Sequence, residues 1–70
     1  MPQPKWQALA EHIRTQIRSG ELGPGDRLPS TAQLCEIHQV SAIVVRNAMI
    51  ALKSEGWVVG VPGVGVFVKD

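Results

Sequence analysis

Cys35 is the single cysteine in 70 residues, so no internal disulfide can form, and a disulfide-stapled secreted miniprotein is excluded. Excess charge of one sign is also lacking. Seven Lys and Arg face six Asp and Glu, a formal net charge of +1. That rules out a strongly basic tail and makes no compositional case for nucleic acid or membrane binding. Long apolar runs are missing too: Arg46 and Lys53 interrupt the middle, while glycine and proline break the end. The opening Met-Pro-Gln-Pro-Lys-Trp has no apolar segment of the signal-peptide kind. These absences predict a soluble, cytoplasmic, single-domain protein over residues 1–70, with room for one small core.

Catalytic patterns are equally scarce. There is no Ser-His-Asp set, no carboxylate pair and no phosphate-cradling GxxxxGK[ST] loop. Gly60, Gly63 and Gly65 come in the wrong order for a dinucleotide loop. Cys35 and His38 lie three apart, with His12 upstream, but a zinc site needs four ligands and a fourth is lacking. The expectation is a protein that is not an enzyme and holds no metal or cofactor. Cys35 and His38 then read as half-buried core or turn residues.

What is present is helical periodicity followed by alternation. Trp6, Leu9, Ala10, Ile13 and Ile17 repeat on one helical face, with Pro4 before the segment and Gly20 after it. Gly23-Pro24-Gly25-Asp26 suits a type II turn, and Leu28-Pro29 suits a short edge strand. Ser30-Thr31-Ala32-Gln33 is a capping-box pattern opening a second helix, with an apolar edge of Leu34, Ile37 and His38. Ser41 provides a second N-cap, and Val45, Ala48, Met49 and Leu52 share a face of a third helix closing at Gly56. Beyond it, Trp57–Val61 and Val66–Val68 flank Pro62-Gly63-Val64-Gly65 as a hairpin. The sum is a mainly α chain with a small β-hairpin. Three helices and a two- or three-stranded wing make a winged helix-turn-helix, with the helix-turn-helix at about 30–55 and the wing at about 57–69.

In these residues the chain resembles the DNA-binding domain of the GntR family of bacterial transcription regulators. The resemblance is carried by Ile17-Arg18-Ser19-Gly20-Glu21-Leu22 and by Pro24-Gly25-Asp26-Arg27-Leu28-Pro29-Ser30. It continues through Leu34, Val40-Ser41, Val45-Arg46, Ala48 and Leu52 to Glu55-Gly56, Gly63-Val64-Gly65 and Phe67-Val68. The resemblance implies a regulator, such as a repressor, that binds double-stranded DNA as a homodimer on a two-fold site. The DNA-facing positions it implies are Ser30, Thr31, Ser41, Ala42, Ile43, Val44, Arg46, Asn47, Gly63, Val64 and Gly65. The family commonly adds a C-terminal effector-binding or oligomerising domain, and none is expected within these residues. Three departures stand out: Thr31-Ala32 replaces the usual Glu-Arg, Ala42-Ile43-Val44 replaces Arg-Thr-Thr, and Val64 replaces a basic wing residue.

The chemistry of these positions is mixed. No acidic residue lies between Ile37 and Ser54, while Arg46 and Lys53 are basic, so the local field is positive. Arg46 is expected to project outward, where its guanidinium suits guanine O6 and N7 or a phosphate. Asn47 either reads adenine or is solvated at the helix edge. Ala42, Ile43 and Val44 either touch thymine methyl groups or belong to a protein interface. The Gly63-Val64-Gly65 tip either approaches the minor groove or backbone, or serves only the turn. The alternative reading is therefore a winged-helix module that binds protein through its third helix and wing.

Overall fold

The computed structural model describes residues 4–69. Helix α1 (Lys5–Ser19) opens after Pro4, whose carbonyl accepts from the N–H groups of Gln7 and Ala8 at 3.0 and 3.1 Å. It ends at Gly20, which takes the left-handed conformation at φ 86°. Leu9, Ala10 and Ile13 are buried, and Trp6 and Ile17 pack half-buried beside them, as the spacing predicts.

The Gly23–Asp26 turn forms with Gly25 at φ 82° and the Asp26 N–H on the Gly23 carbonyl at 3.0 Å. The edge strand expected at Leu28–Pro29 does not form there. Arg27 instead makes a single antiparallel bridge to Phe67. The Leu28 N–H donates to Val66 O and the Val68 N–H to Asp26 O, both at 2.8 Å. The next N–H that would face β2 is that of Ser30, which donates to Gln33 Oε1 instead, so the pairing ends. Leu28 is drawn into the core as a result.

Helix α2 (Thr31–His38) has the complete capping box. The Gln33 N–H donates to Ser30 Oγ at 3.1 Å, and the Ser30 N–H donates to Gln33 Oε1 at 2.9 Å. Its apolar edge differs from expectation, because Ile37 is 63% exposed. Leu34, Cys35 and His38 lie along one side of this short helix, and Ile37 is rotated past it toward solvent. Gln39 then adopts the left-handed conformation, with its N–H on Cys35 O. Ser41 occupies the N-cap of α3 (Ala42–Ser54) in extended geometry, but its hydroxyl makes no capping bond. The backbone carbonyl of Ser41 accepts from Val44 and Val45 instead, and its side chain stays open to water.

Helix α3 is the centre of the molecule, since α1, α2 and the first hairpin strand all pack on it. Val45, Ala48, Met49 and Leu52 are buried there, the face their spacing predicts. The hairpin joins β1 (Val58–Val61) to β2 (Gly65–Val68), in register from Val58 opposite Val68 to Val61 opposite Gly65. Val58 and Val68 close the core, while Val59 and Val61 on the alternate face remain exposed. The tip is a turn in which the Val64 N–H donates to Val61 O at 3.0 Å. Pro62 and Gly63, the latter at φ 73°, take its two central positions. Among the described residues, no helix is long and apolar enough to cross a membrane.

Candidate nucleic-acid interface

With Val45, Ala48, Met49 and Leu52 turned inward, the opposite face of α3 carries Ile43, Arg46, Asn47 and Ile50, all exposed. These fall at the i, i+3, i+4 and i+7 positions of one stripe. Ala42 is exposed at its start. Val44 is not part of it: the side chain is half-buried against the core, one position before Val45 and one turn before Ala48. Ala42 and Ile43 are therefore the exposed apolar groups at the head of the helix, with Val44 half-buried behind them.

Ser30 and Thr31 sit at the start of α2 and share one cleft with Arg27, Met49, Gly65 and Val66. The fold therefore brings the opening of α2 next to β2, although 35 positions separate Ser30 from Gly65 in the chain. Gly63 and Val64 lie at the exposed end of the hairpin, and Val64 is 52% exposed. Ser41 is exposed with its hydroxyl uncommitted. Every expected position except Val44 and Gly65 is thus exposed; those two are half-buried, and Gly65 lines this cleft.

The charges are sorted by face. Glu11 accepts from Arg14 at 3.0 Å and from Arg18 at 2.8 Å, and Arg14 also bonds Glu55 at 2.9 Å. Hydrogen bonds from Arg18 and then Arg14 hold the Glu11 carboxyl below its usual pKa. Arg18 also lies over the Trp57 ring, 5.8 Å from its centroid. These pairs tie α1 to the end of α3. By contrast Arg27, Arg46 and Lys53 are exposed and, among the described residues, make no ion pair. Arg14 and Arg18 are thus committed within their own cluster, while Arg27, Arg46 and Lys53 beside α3 and the wing are not.

Cys35 and His38 are half-buried, as expected. The His38 ring packs edge-on against His12, with centroids 5.1 Å apart at 72°. Among the described residues, no three His, Cys, Asp or Glu side chains cluster where a metal ion could be held.

Three helices in this order, a three-residue turn between α2 and α3, and an antiparallel hairpin packed on α3 define a winged helix-turn-helix. The chain belongs to the GntR family of bacterial regulatory proteins, whose family model matches residues 5–68. Among curated relatives, it is 41% identical over 66 residues to an HTH-type transcriptional regulator of Streptomyces coelicolor, covering 94% of this chain and 24% of that protein. It is 37% identical over 67 residues to the mannosyl-D-glycerate transport/metabolism system repressor MngR of Escherichia coli, covering 96% of this chain and 28% of MngR. The chain thus spans about a quarter of the length of these relatives. Among solved structures, the AraR DNA-binding domain in complex with operator ORR3 superposes with a TM-score of 0.93 at 31% identity, covering 97% of this chain and 82% of that one. YtrA of Sulfolobus acidocaldarius superposes at 0.91 with 34% identity, covering 100% of this chain and 73% of that one.

Arg27 and Lys53 are exposed basic residues that lie against the hairpin glycines Gly65 and Gly60, a placement that the sequence reading did not anticipate. The available signal was an isolated glycine inside each strand, Gly60 and Gly65, which marks a place where another group approaches the backbone closely.

Proposed function

We propose that this chain is the sequence-specific DNA-binding part of a transcription regulator, which places α3 in the major groove and the hairpin tip on the flank of the site. The observation that carries the reading is the outward stripe of α3, where Arg46 stands exposed without an ionic partner between Ile43, Asn47 and Ile50. A guanidinium held this way suits the O6 and N7 acceptors of guanine, and the flanking isoleucines suit thymine methyl groups. Ser30, Thr31, Ser41 and Ala42 are its neighbours toward the phosphates. Gly63, Val64 and Gly65 meet the flank. That AraR is solved on an operator supports the same use of this fold here. A single module makes few contacts, so the chain acts as a homodimer on a two-fold site, in the cytoplasm, where it represses by occupancy and does no chemistry of its own.

A second reading has its own support. Ile43 and Ile50 are 59% and 56% exposed, an apolar surface that also suits a protein partner. Gel-shift titration against genomic fragments, followed by selection of the retained duplexes, separates the two. A DNA reader retains a small set of related sequences over bulk DNA. A protein-binding module retains none, and that result overturns the proposal.

A further inference from the structure

Two hairpin glycines are confined by cations. A Cβ built on Gly65 would lie 2.8 Å from Arg27 Nε, and one on Gly60 would lie 3.0 Å from Lys53 Nζ and 3.1 Å from its Cε. At such distances an ordinary side chain on either strand would push the cation away. Gly60 pairs with Val66 and Gly65 with Val61, adjacent rungs whose side-chain positions point to opposite faces of the ribbon. Lys53 therefore lies on the face that continues from buried Val58, and Arg27 on the face of exposed Val59 and Val61. The wing is bracketed by one cation on each side.

Neither cation is held by charge. Among the described residues no carboxylate pairs with Arg27 or Lys53, whereas Arg14 and Arg18 are both paired. Each is placed by the fold itself: Arg27 by its bridge to Phe67, and Lys53 by the last turn of α3. Long side chains resting on bare backbone without an acid are ordered at a cost in rotamer entropy. They leave a guanidinium and an ammonium beside a wing tip whose own residue, Val64, carries no charge.

We infer that Arg27 and Lys53 are the wing's contacts to the DNA phosphate backbone, one on each side of the uncharged tip. The inference rests on the DNA-binding reading above and adds to it which groups neutralise phosphate and where. A guanidinium and an ammonium are the two side-chain groups suited to that anion. Because these contacts touch phosphate and not base edges, they set affinity and register and leave sequence preference to α3.

The test is a binding titration of the 70-residue chain across a range of salt, on one selected duplex and one unrelated duplex of equal length. The variants are Arg27→Gln, Lys53→Gln, both together, and the charge-keeping Arg27→Lys and Lys53→Arg, with melting curves run alongside. Each glutamine variant should make the log K against log salt slope shallower by about 0.9, and the pair by about 1.8, equally on both duplexes. The charge-keeping variants should retain the wild-type slope. A role confined to packing would move the melting point and leave the slope unchanged. If the double variant keeps the wild-type slope while the wild type binds DNA, this inference is overturned and the DNA-binding reading stands. If the wild type binds no duplex, both fall.

Discussion

Arg14 Nη1 donates to Glu55 Oε1 at 2.9 Å across 41 positions of sequence, tying α1 to the C-cap of α3. Glu55 also accepts from the Trp57 indole at 3.0 Å, so one carboxylate links the first helix, the α3 terminus and the entrance to the hairpin. The Arg14 side chain is 16% exposed and that of Glu55 48%, which places the pair at the edge of the core. Glu55→Ala should lower stability by about 1 kcal/mol, equivalent to roughly 4–8 °C for a domain of this size. DNA base preference should not change, because the pair lies away from the outward stripe of α3. Thermal melting together with a duplex selection checks both halves.

The His12–His38 contact gives the fold a pH dependence of known sign. Burial first, and the charge of His12 second, hold the His38 imidazole below its ordinary 6.5. Lys5 and Gln39 line the same cleft, and among the described residues no carboxylate does. The unfolded chain therefore takes up this proton at higher pH than the folded one. The contribution of His38 is fully present above 6.5 and declines as pH falls through 6.5 toward the lowered folded value. Glu11 acts only further down, below its ordinary 4.5, where protonation loosens its bonds to Arg18 and Arg14. Melting from pH 8 to pH 5 should show the wild type losing midpoint below pH 6.5, and His38→Gln should lose less over the same range. Equal losses would assign the acid sensitivity elsewhere.

The uncharged wing tip predicts shallow salt dependence. Arg27, Arg46, Lys53 and Lys69 are exposed around α3 and the wing with no ion pair among the described residues, so each domain should neutralise about three or four phosphates and show a slope near −3. Val64→Lys, at an exposed turn position, should add about one phosphate contact and steepen the slope by about 0.9 on every duplex. A wild-type slope steeper than about −6 per domain would mean that other residues carry much of the electrostatic footprint.

Most of this fold could be read from local chemistry. The α3 stripe of Val45, Ala48, Met49 and Leu52, the Ser30–Gln33 capping box and the hairpin all follow from periodicity and turn residues a few positions apart. What could not be read depends on packing between distant segments. The third wing strand shrinks to one bridge at Arg27, and only the assembled sheet shows that the N–H groups of Gly25 and Leu28 are the ones that meet β2. That Val44 is half-buried against the core, unlike exposed Ala42 and Ile43 beside it, shows only once α3 is docked. Arg27 and Lys53 lie 38 and seven positions before the glycines they cover, a pairing that no sequence spacing expresses.

The central claim is that the outward face of α3 reads DNA through Arg46, and a titration of wild type, Arg46→Ala and Ile43→Ser on selected duplexes tests it most directly. Arg46 is exposed and has no ionic partner among the described residues, so its loss should leave the melting midpoint nearly unchanged. Specific binding should weaken by about 1–3 kcal/mol, and preference should flatten at one base pair of each half-site. Ile43→Ser should weaken binding less and relax preference at a neighbouring A·T pair. Undiminished DNA affinity and unchanged base preference in a folded Arg46→Ala protein would contradict the account, and would leave the apolar face of α3 as a surface for protein.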